Sequence, residues 1–264
     1  MNLDFKDKIA VVTGGSSGIG LAATRLLLAS GAYVAVCARD EARLAKVASE
    51  LDAGSRLFAR TCDVRDGASV TAFAKAVSDW AADKGDRVDL LVNNAGEGRV
   101  STFGDTTDEA WRAELDLKFF SQINPVRAFL PSLKRSSAPA IVVVNSLLSL
   151  QPEAHMVATS AARAGVQSLT KSLARELAPQ VRVNSILLGL VDSGQWQRRF
   201  EARADKTVTR EAWFAELAKT KGIPLGRLGE PDEAARAILF LGSTAASYIT
   251  GASLEVSGGV SRHI

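Results

Sequence analysis

The run Thr13-Gly14-Gly15-Ser16-Ser17-Gly18-Ile19-Gly20 joins a short apolar stretch, Ile9 to Thr13, to an amphipathic one that starts at Ile19. A strand, a glycine turn and a helix N-terminus in that order make an anion site. Glycines let the backbone come close to a ligand, while free N–H groups and the helix dipole face negative charge. Taken alone, the glycine triplet is equally a tight turn. Its context favours a pyrophosphate, because Asn93-Asn94-Ala95-Gly96 follows a later apolar run in the same way.

Such turns need a sheet to hold them. Ile9 to Thr13, Tyr33 to Cys37, Leu57 to Thr61, Leu90 to Asn93, Ile141 to Asn145 and Val181 to Leu187 are short β-branched apolar runs, read here as buried parallel strands. Helix-period stretches such as Ile19 to Ser30, Glu41 to Leu51 and Val70 to Ala82 lie between them. This alternation predicts right-handed βαβ units. The fold class is α/β: a single-domain, Rossmann-like, doubly wound parallel sheet of about seven strands with helices on both faces. No repeat, low-complexity tract or linker divides residues 1–264.

Composition narrows the function. With 47% hydrophobic and 23% charged residues, the chain is that of a soluble globular protein. A net charge of +3 calls for neither nucleic acid nor an anionic membrane, yet suits an anionic dinucleotide. Cys37 and Cys62 read as free thiols of a reducing compartment. No apolar run reaches membrane-spanning length. Met1 to Lys8 carries acidic residues and no apolar h-region, so it is not a signal peptide and a cytoplasmic protein is expected.

The glycine turn and Asn93-Asn94-Ala95-Gly96 resemble the TGxxxGxG and NNAG motifs of the short-chain dehydrogenase/reductase family. The resemblance continues through Ser146, the helix Ser160 to Ala178, Val181-Arg182-Val183-Asn184, Thr250-Gly251 and Gly258-Gly259. It implies a homodimer or homotetramer acting on a small-molecule substrate with a nicotinamide cofactor. It also implies cofactor contacts from Gly14, Ser16, Ser17, Gly18, Ile19 and Gly20, from Asp63 and Val64 at the adenine, and from Asn93, Ala95 and Gly96. Gly189, Val191 and Ser193 fall on the nicotinamide side.

After the second strand the chain reads Cys37-Ala38-Arg39-Asp40. An acidic residue at the strand end would bind both ribose hydroxyls and select NAD, whereas an arginine favours the 2′-phosphate of NADP. The family's NAD-selecting Asp aligns with Ala38, so NADP(H) is favoured through Arg39 and NAD(H) remains possible. Alternatively, Arg39 is a solvated charge paired with Asp40.

The proton-transfer centre departs from the family. Its members place Tyr and Lys four apart on one helix, with a Ser thirteen residues before the Tyr. Here Ser146 keeps its place, but Thr159 stands for the Tyr and Arg163 for the Lys. A phenol can be tuned by a neighbouring cation; a threonine hydroxyl cannot, and arginine stays protonated. Thr159 and Arg163 should share a helix face, where Arg163 can hold cofactor ribose. Lys118 replaces the family's helix Asn and, near Arg163, becomes a candidate acid/base with a depressed pKa. Its alternative is a lysine that snorkels outward or pairs with Glu114 or Asp116. His155, one turn before Thr159, is either a rival acid/base or a polar cap, and Ser149 is a candidate substrate contact by position.

Residues 191–221 break the strand–helix rhythm with Trp196, Phe200, Trp213 and Phe214 among Arg198, Arg199, Arg203 and Arg210. They read as a small helical lid over an apolar substrate cleft, with Trp196 a substrate contact, or as an amphipathic surface helix pair. The function expected is an NADP(H)-dependent oxidoreductase of a carbonyl or alcohol with Ser146 polarising the oxygen. The alternative is a non-catalytic binder of dinucleotide or metabolite.

Overall fold

The computed structural model describes residues 3–203 and 205–262. Met1 and Asn2 of the N-terminal stretch, and Ala204 within 191–221, lie outside them. Seven strands form one parallel sheet: β1 (Ile9–Thr13), β2 (Tyr33–Ala38), β3 (Leu57–Thr61), β4 (Leu90–Asn93), β5 (Ala140–Ser146), β6 (Arg182–Leu188) and β7 (Ser253–Val256). Their order is β3-β2-β1-β4-β5-β6-β7. The helices are α1 (Gly18–Ala29), α2 (Glu41–Leu51), α3 (Gly67–Trp80), α4 (Asp108–Leu133), α5 (Val157–Glu176), α6 (Gly194–Glu201), α7 (Arg210–Thr220) and α8 (Pro231–Gly242).

Strand periodicity divides the core between the two sheet faces. Ala10 and Val12 pack with Leu27 of α1 and Ile238 of α8 in one apolar layer. Ile9 and Val11 face Phe73 of α3, Phe129 of α4 and Val166 of α5 in the other. Burying one such large side chain contributes about 1.5–3 kcal/mol. Because both faces are covered, the strands read as continuous apolar runs.

Element ends differ from the expected ones for local reasons. β6 begins after Val181, whose N–H still bonds the Leu177 carbonyl at 3.0 Å in the turn that leaves α5. α3 starts at Gly67 because the Asp66 carboxylate caps it, accepting from Ala68 N at 2.9 Å. α5 ends at Glu176, shortly before Pro179, which cannot continue a helix. Among the described residues, no helix is long and apolar enough to cross a membrane.

The strand order reverses between β1 and β4, and a crevice opens where connections leave in opposite directions. Thr13 and Asn94 tie its two walls together. The Asn94 side chain donates to the carbonyls of Thr13 (2.9 Å) and Gly14 (3.2 Å), while Asn94 N and Ala95 N donate to the Thr13 hydroxyl at 3.0 and 3.1 Å.

Candidate active site

A cleft of about 670 Å³ runs along the carboxyl ends of β1 to β6. Gly14, Ser16, Ser17, Gly18 and Ile19 line its floor. Gly14 has φ +69°, in the left-handed region that favours glycine. A Cβ on Gly20 would lie 2.3 Å from the Gly14 carbonyl oxygen, so only glycine lets α1 start this close to the turn. The hydroxyl of Ser17 makes no capping bond, and the first turn of α1 holds no acidic residue. The helix therefore presents uncapped N–H groups and the positive end of its dipole to the cleft.

Arg39 lines the same cleft. The Asp40 carboxylate accepts from Arg43 N at 2.9 Å and pairs with the Arg43 guanidinium at 3.2 Å. Arg39 makes no hydrogen bond or ion pair among the described residues. Asp63 and Val64 also line the cleft, with Arg65, which sequence reading did not single out. The Arg65 guanidinium grips the Asp63 carboxylate, with Nη2 to Oδ2 at 2.6 Å, and holds that carboxyl below its ordinary pKa. Ala95, Gly96, Arg163 and Ser193 complete the predicted residues on the wall. Gly20, Asn93, Gly189 and Val191 stand behind it: Asn93 is fully buried, Gly189 N donates to Val256 O at 3.0 Å, and Val191 is buried against Gly229.

The proton-transfer candidates converge on the contact between α4 and α5. Lys118 is 2% exposed and Glu114, one turn earlier, 3%; their charged ends lie 2.9 Å apart. The Lys118 amine also donates to the Glu97 carbonyl, and the Thr159 hydroxyl donates to the same Glu114 carboxylate. Arg99 N donates in turn to the Thr159 oxygen at 3.3 Å. Burial, then repulsion from Arg163, lowers Lys118 from its ordinary value to about 8, against the raising effect of Glu114. The Arg163 Nη1 donates to the Val144 carbonyl at 2.9 Å, and its buried Nε has no partner among the described residues. Burial lowers Arg163 to about 10, which leaves it cationic near neutrality.

Other expected residues make their bonds elsewhere. Ser146 Oγ accepts from Leu148 N at 3.2 Å and donates toward Leu188 O at 3.4 Å, and Ser149 Oγ donates to Ser146 O at 2.8 Å. His155 is half exposed and bonds Glu153 at 3.1 Å, which Lys221 also pairs at 3.1 Å. Trp196 packs against Trp213, with ring centroids 6.2 Å apart, and lies under the Arg199 guanidinium at 4.7 Å. Phe200 and Phe214 flank Trp213, and Arg210 pairs with Asp192, which fastens α7 to the segment after β6.

A second cavity of about 680 Å³ adjoins the first. It shares Arg39, Arg65 and Arg198 with it and adds Arg99, Glu114 and Arg199. Sequence reading named Glu114, with Asp116, only as an alternative pairing partner of Lys118, and the pairing with Glu114 is the one found. Their spacing of four on one helix was visible, but Thr159 lies 45 residues away and joins them only in the folded chain.

A glycine turn at the switch point of a doubly wound sheet, opening on an uncapped helix, defines a dinucleotide-binding protein. The short chain dehydrogenase family model matches residues 8–204, and the chain belongs to that family. It is similar to a short chain oxidoreductase of Pseudomonas aeruginosa PAO1 described as containing an atypical catalytic center. The apo structure of that protein is 60% identical, covers 99% of this chain and 100% of the other, and superposes with a TM-score of 0.94. The NADPH-bound structure is 59% identical, covers 99% of each chain and gives a TM-score of 0.92. A 3-oxoacyl-(acyl-carrier-protein) reductase FabG of Vibrio harveyi is 33% identical over 259 residues, 98% of this chain and 99% of that one.

Proposed function

We propose that the protein is an NADP(H)-dependent oxidoreductase that interconverts a small carbonyl compound and its alcohol, with a buried Lys118–Glu114 pair in charge of the proton. The observation that carries this reading is Lys118 itself. It is buried between Glu114 and Arg163, and its amine is drawn down to about 8, where it can be both charged and labile near neutral pH. The NADPH-bound relative supports the choice of cofactor.

The residues present fit the dinucleotide. The uncapped N-terminus of α1 suits a pyrophosphate, and unpaired Arg39 suits a 2′-phosphate. Arg163, with its unpartnered Nε, would hold the ribose, while Ser193 on the wall would border the nicotinamide, backed by Gly189 and Val191. NADPH, when bound, supplies the hydride. Glu114 opposes the effect of burial and keeps the Lys118 amine protonated in the resting state. Lys118 then gives its proton to the oxygen of the reduced carbonyl, while Thr159 holds Glu114 in place and is not itself an acid. Ser146, by releasing its weak bond to Leu188 O, turns its hydroxyl to the same oxygen. Residues 191–221 close over the substrate as a lid, with Trp196, Ser149 and His155 on the substrate side.

A second reading, a dinucleotide-binding protein without turnover, is favoured by one feature. The Lys118 amine and the Ser146 and Thr159 hydroxyls all bond within the protein. We further propose a cytoplasmic homodimer or homotetramer, and light scattering gives the stoichiometry. The decisive experiment is a titration with NADPH and NADH followed by a carbonyl-reduction screen. NADPH binding with turnover supports the enzyme, NADPH binding without turnover the binder, and NADH preference overturns the role of Arg39.

A further inference from the structure

The chain has two cysteines, and the fold brings them together beside the cofactor cleft. β2 and β3 run parallel with Cys37 opposite Arg60. Cys62, two residues beyond Arg60, returns to the same side of the sheet. Both cysteines are buried in the same apolar layer, and both line the cleft next to Ala38, Arg39 and Asp63. The two thiols lie close enough that each shifts the pKa of the other.

The two sulfurs differ in character. Cys37, helped by the Ser69 hydroxyl, lowers Cys62 to about 7 against burial and the nearby Asp63 and Asp66 carboxylates. Cys37 is raised by Cys62 and by its burial. A thiolate next to a thiol is the pairing of an attacking and a resolving cysteine.

The backbone ties this pair to the dinucleotide site. The Cys37 carbonyl accepts from Gly14 N at 2.8 Å and Gly15 N at 3.2 Å, so it holds the first two amides of the glycine turn. Cys62 N donates to Ala38 O at 3.0 Å, immediately before Arg39.

We propose that Cys37 and Cys62 are an oxidisable dithiol at the adenosine end of the cleft, which a hydroperoxide converts to a disulfide that opposes dinucleotide binding. The effect on binding rests on the cofactor reading above. The Cys62 sulfur attacks one oxygen of hydrogen peroxide, the O–O bond breaks, and a sulfenic acid and water form. The Cys37 sulfur then attacks the sulfenic sulfur, the S–S bond forms and the second water leaves. In sum, two thiols are oxidised, one peroxide is reduced, and two waters carry away the oxygens. An S–S bond of about 2.05 Å is far shorter than any contact between two free thiols. It draws the ends of β2 and β3 together and moves both the glycine turn and Arg39. A bound dinucleotide covers the thiols and protects them.

The test treats the whole protein with hydrogen peroxide, with and without NADPH, then unfolds it, alkylates free thiols and measures its intact mass. Without NADPH, the expected product has lost two hydrogens and takes up no alkylating reagent, and dithiothreitol restores both thiols. With NADPH at about 100 times its Kd, oxidation should slow about 100-fold, following the fraction of empty sites. The oxidised protein should bind NADPH about tenfold more weakly, the weight of about one lost contact. In Cys37→Ser the expected product is a Cys62 sulfenic acid trapped by dimedone. If that variant does not fold, the wild-type mass still decides. Two alkylated thiols after peroxide, or a cross-linked protein with unchanged NADPH affinity, would overturn the proposal. An untreated protein that binds no NADPH while its disulfide forms overturns the cofactor reading and upholds the dithiol.

Discussion

The glycine-turn end of the sheet and the α4–α5 contact differ in which atoms do the work. At the first, the cleft meets backbone: the amides opening α1, the left-handed Gly14, and the close approach that Gly20 allows. At the second, the groups that meet are side chains: Glu114, Lys118, Thr159 and Arg163. Backbone sites tolerate few residue types, so they keep a recognisable sequence. Side-chain sites need only charge and hydrogen bonds in the right places, so they can be rebuilt with other residues on the same scaffold.

The comparison is tested most severely at Lys118. Lys118→Met should lower carbonyl reduction by about 10²–10⁴ while NADPH affinity stays within a few-fold, as steady-state rates and titration would reveal. That variant leaves Glu114 buried without its cation, which costs about 3–5 kcal/mol. Lys118→Met/Glu114→Gln is therefore the matched control, expected to be as slow but more stable in urea denaturation.

On the cofactor side, Arg39→Ala should weaken NADPH by about 10–100-fold and NADH hardly at all, the weight of a charge-assisted phosphate contact. Equal losses for the two cofactors would refute the 2′-phosphate role. Arg163 belongs to both regions. Arg163→Ala should cost about tenfold in affinity for either cofactor, since a ribose hydroxyl is common to both.

The smallest effect is expected at Thr159. Thr159→Val keeps the side-chain volume but leaves Glu114 with Lys118 alone and takes the acceptor from the Arg99 amide. It should cost about 1–3 kcal/mol in urea denaturation and change turnover only a few-fold. Abolished turnover would make Thr159 a participant in the chemistry.

How far the sequence revealed these regions follows from the same difference. β1, β3 and β4 have the bounds read from their apolar runs, and Gly14, Ser16, Ser17, Gly18, Ile19, Arg39, Asp63 and Val64 line the cleft. β7 escaped notice because Ser253-Leu254-Glu255-Val256 is a half-exposed edge strand without an apolar run. α4 carries Pro125 and Pro131, which interrupt its helical pattern. Glu114 looked like one of two surface partners for Lys118. Only the packing of α4 against α5 buries the pair and adds Thr159. Arg65 sat beside the Asp63-Val64 motif unnoticed, since one exposed arginine in a loop carries no pattern.

The most direct test of a rebuilt proton site is the pH dependence of kcat/KM for NADPH-dependent carbonyl reduction. A proton from Lys118 requires its charged form, and that form is lost as pH rises through about 8. The account predicts a plateau below that pH and a falling limb above it, and in Lys118→Met/Glu114→Gln a low profile without the break. A double variant that keeps both the wild-type rate and the break near 8 would contradict it.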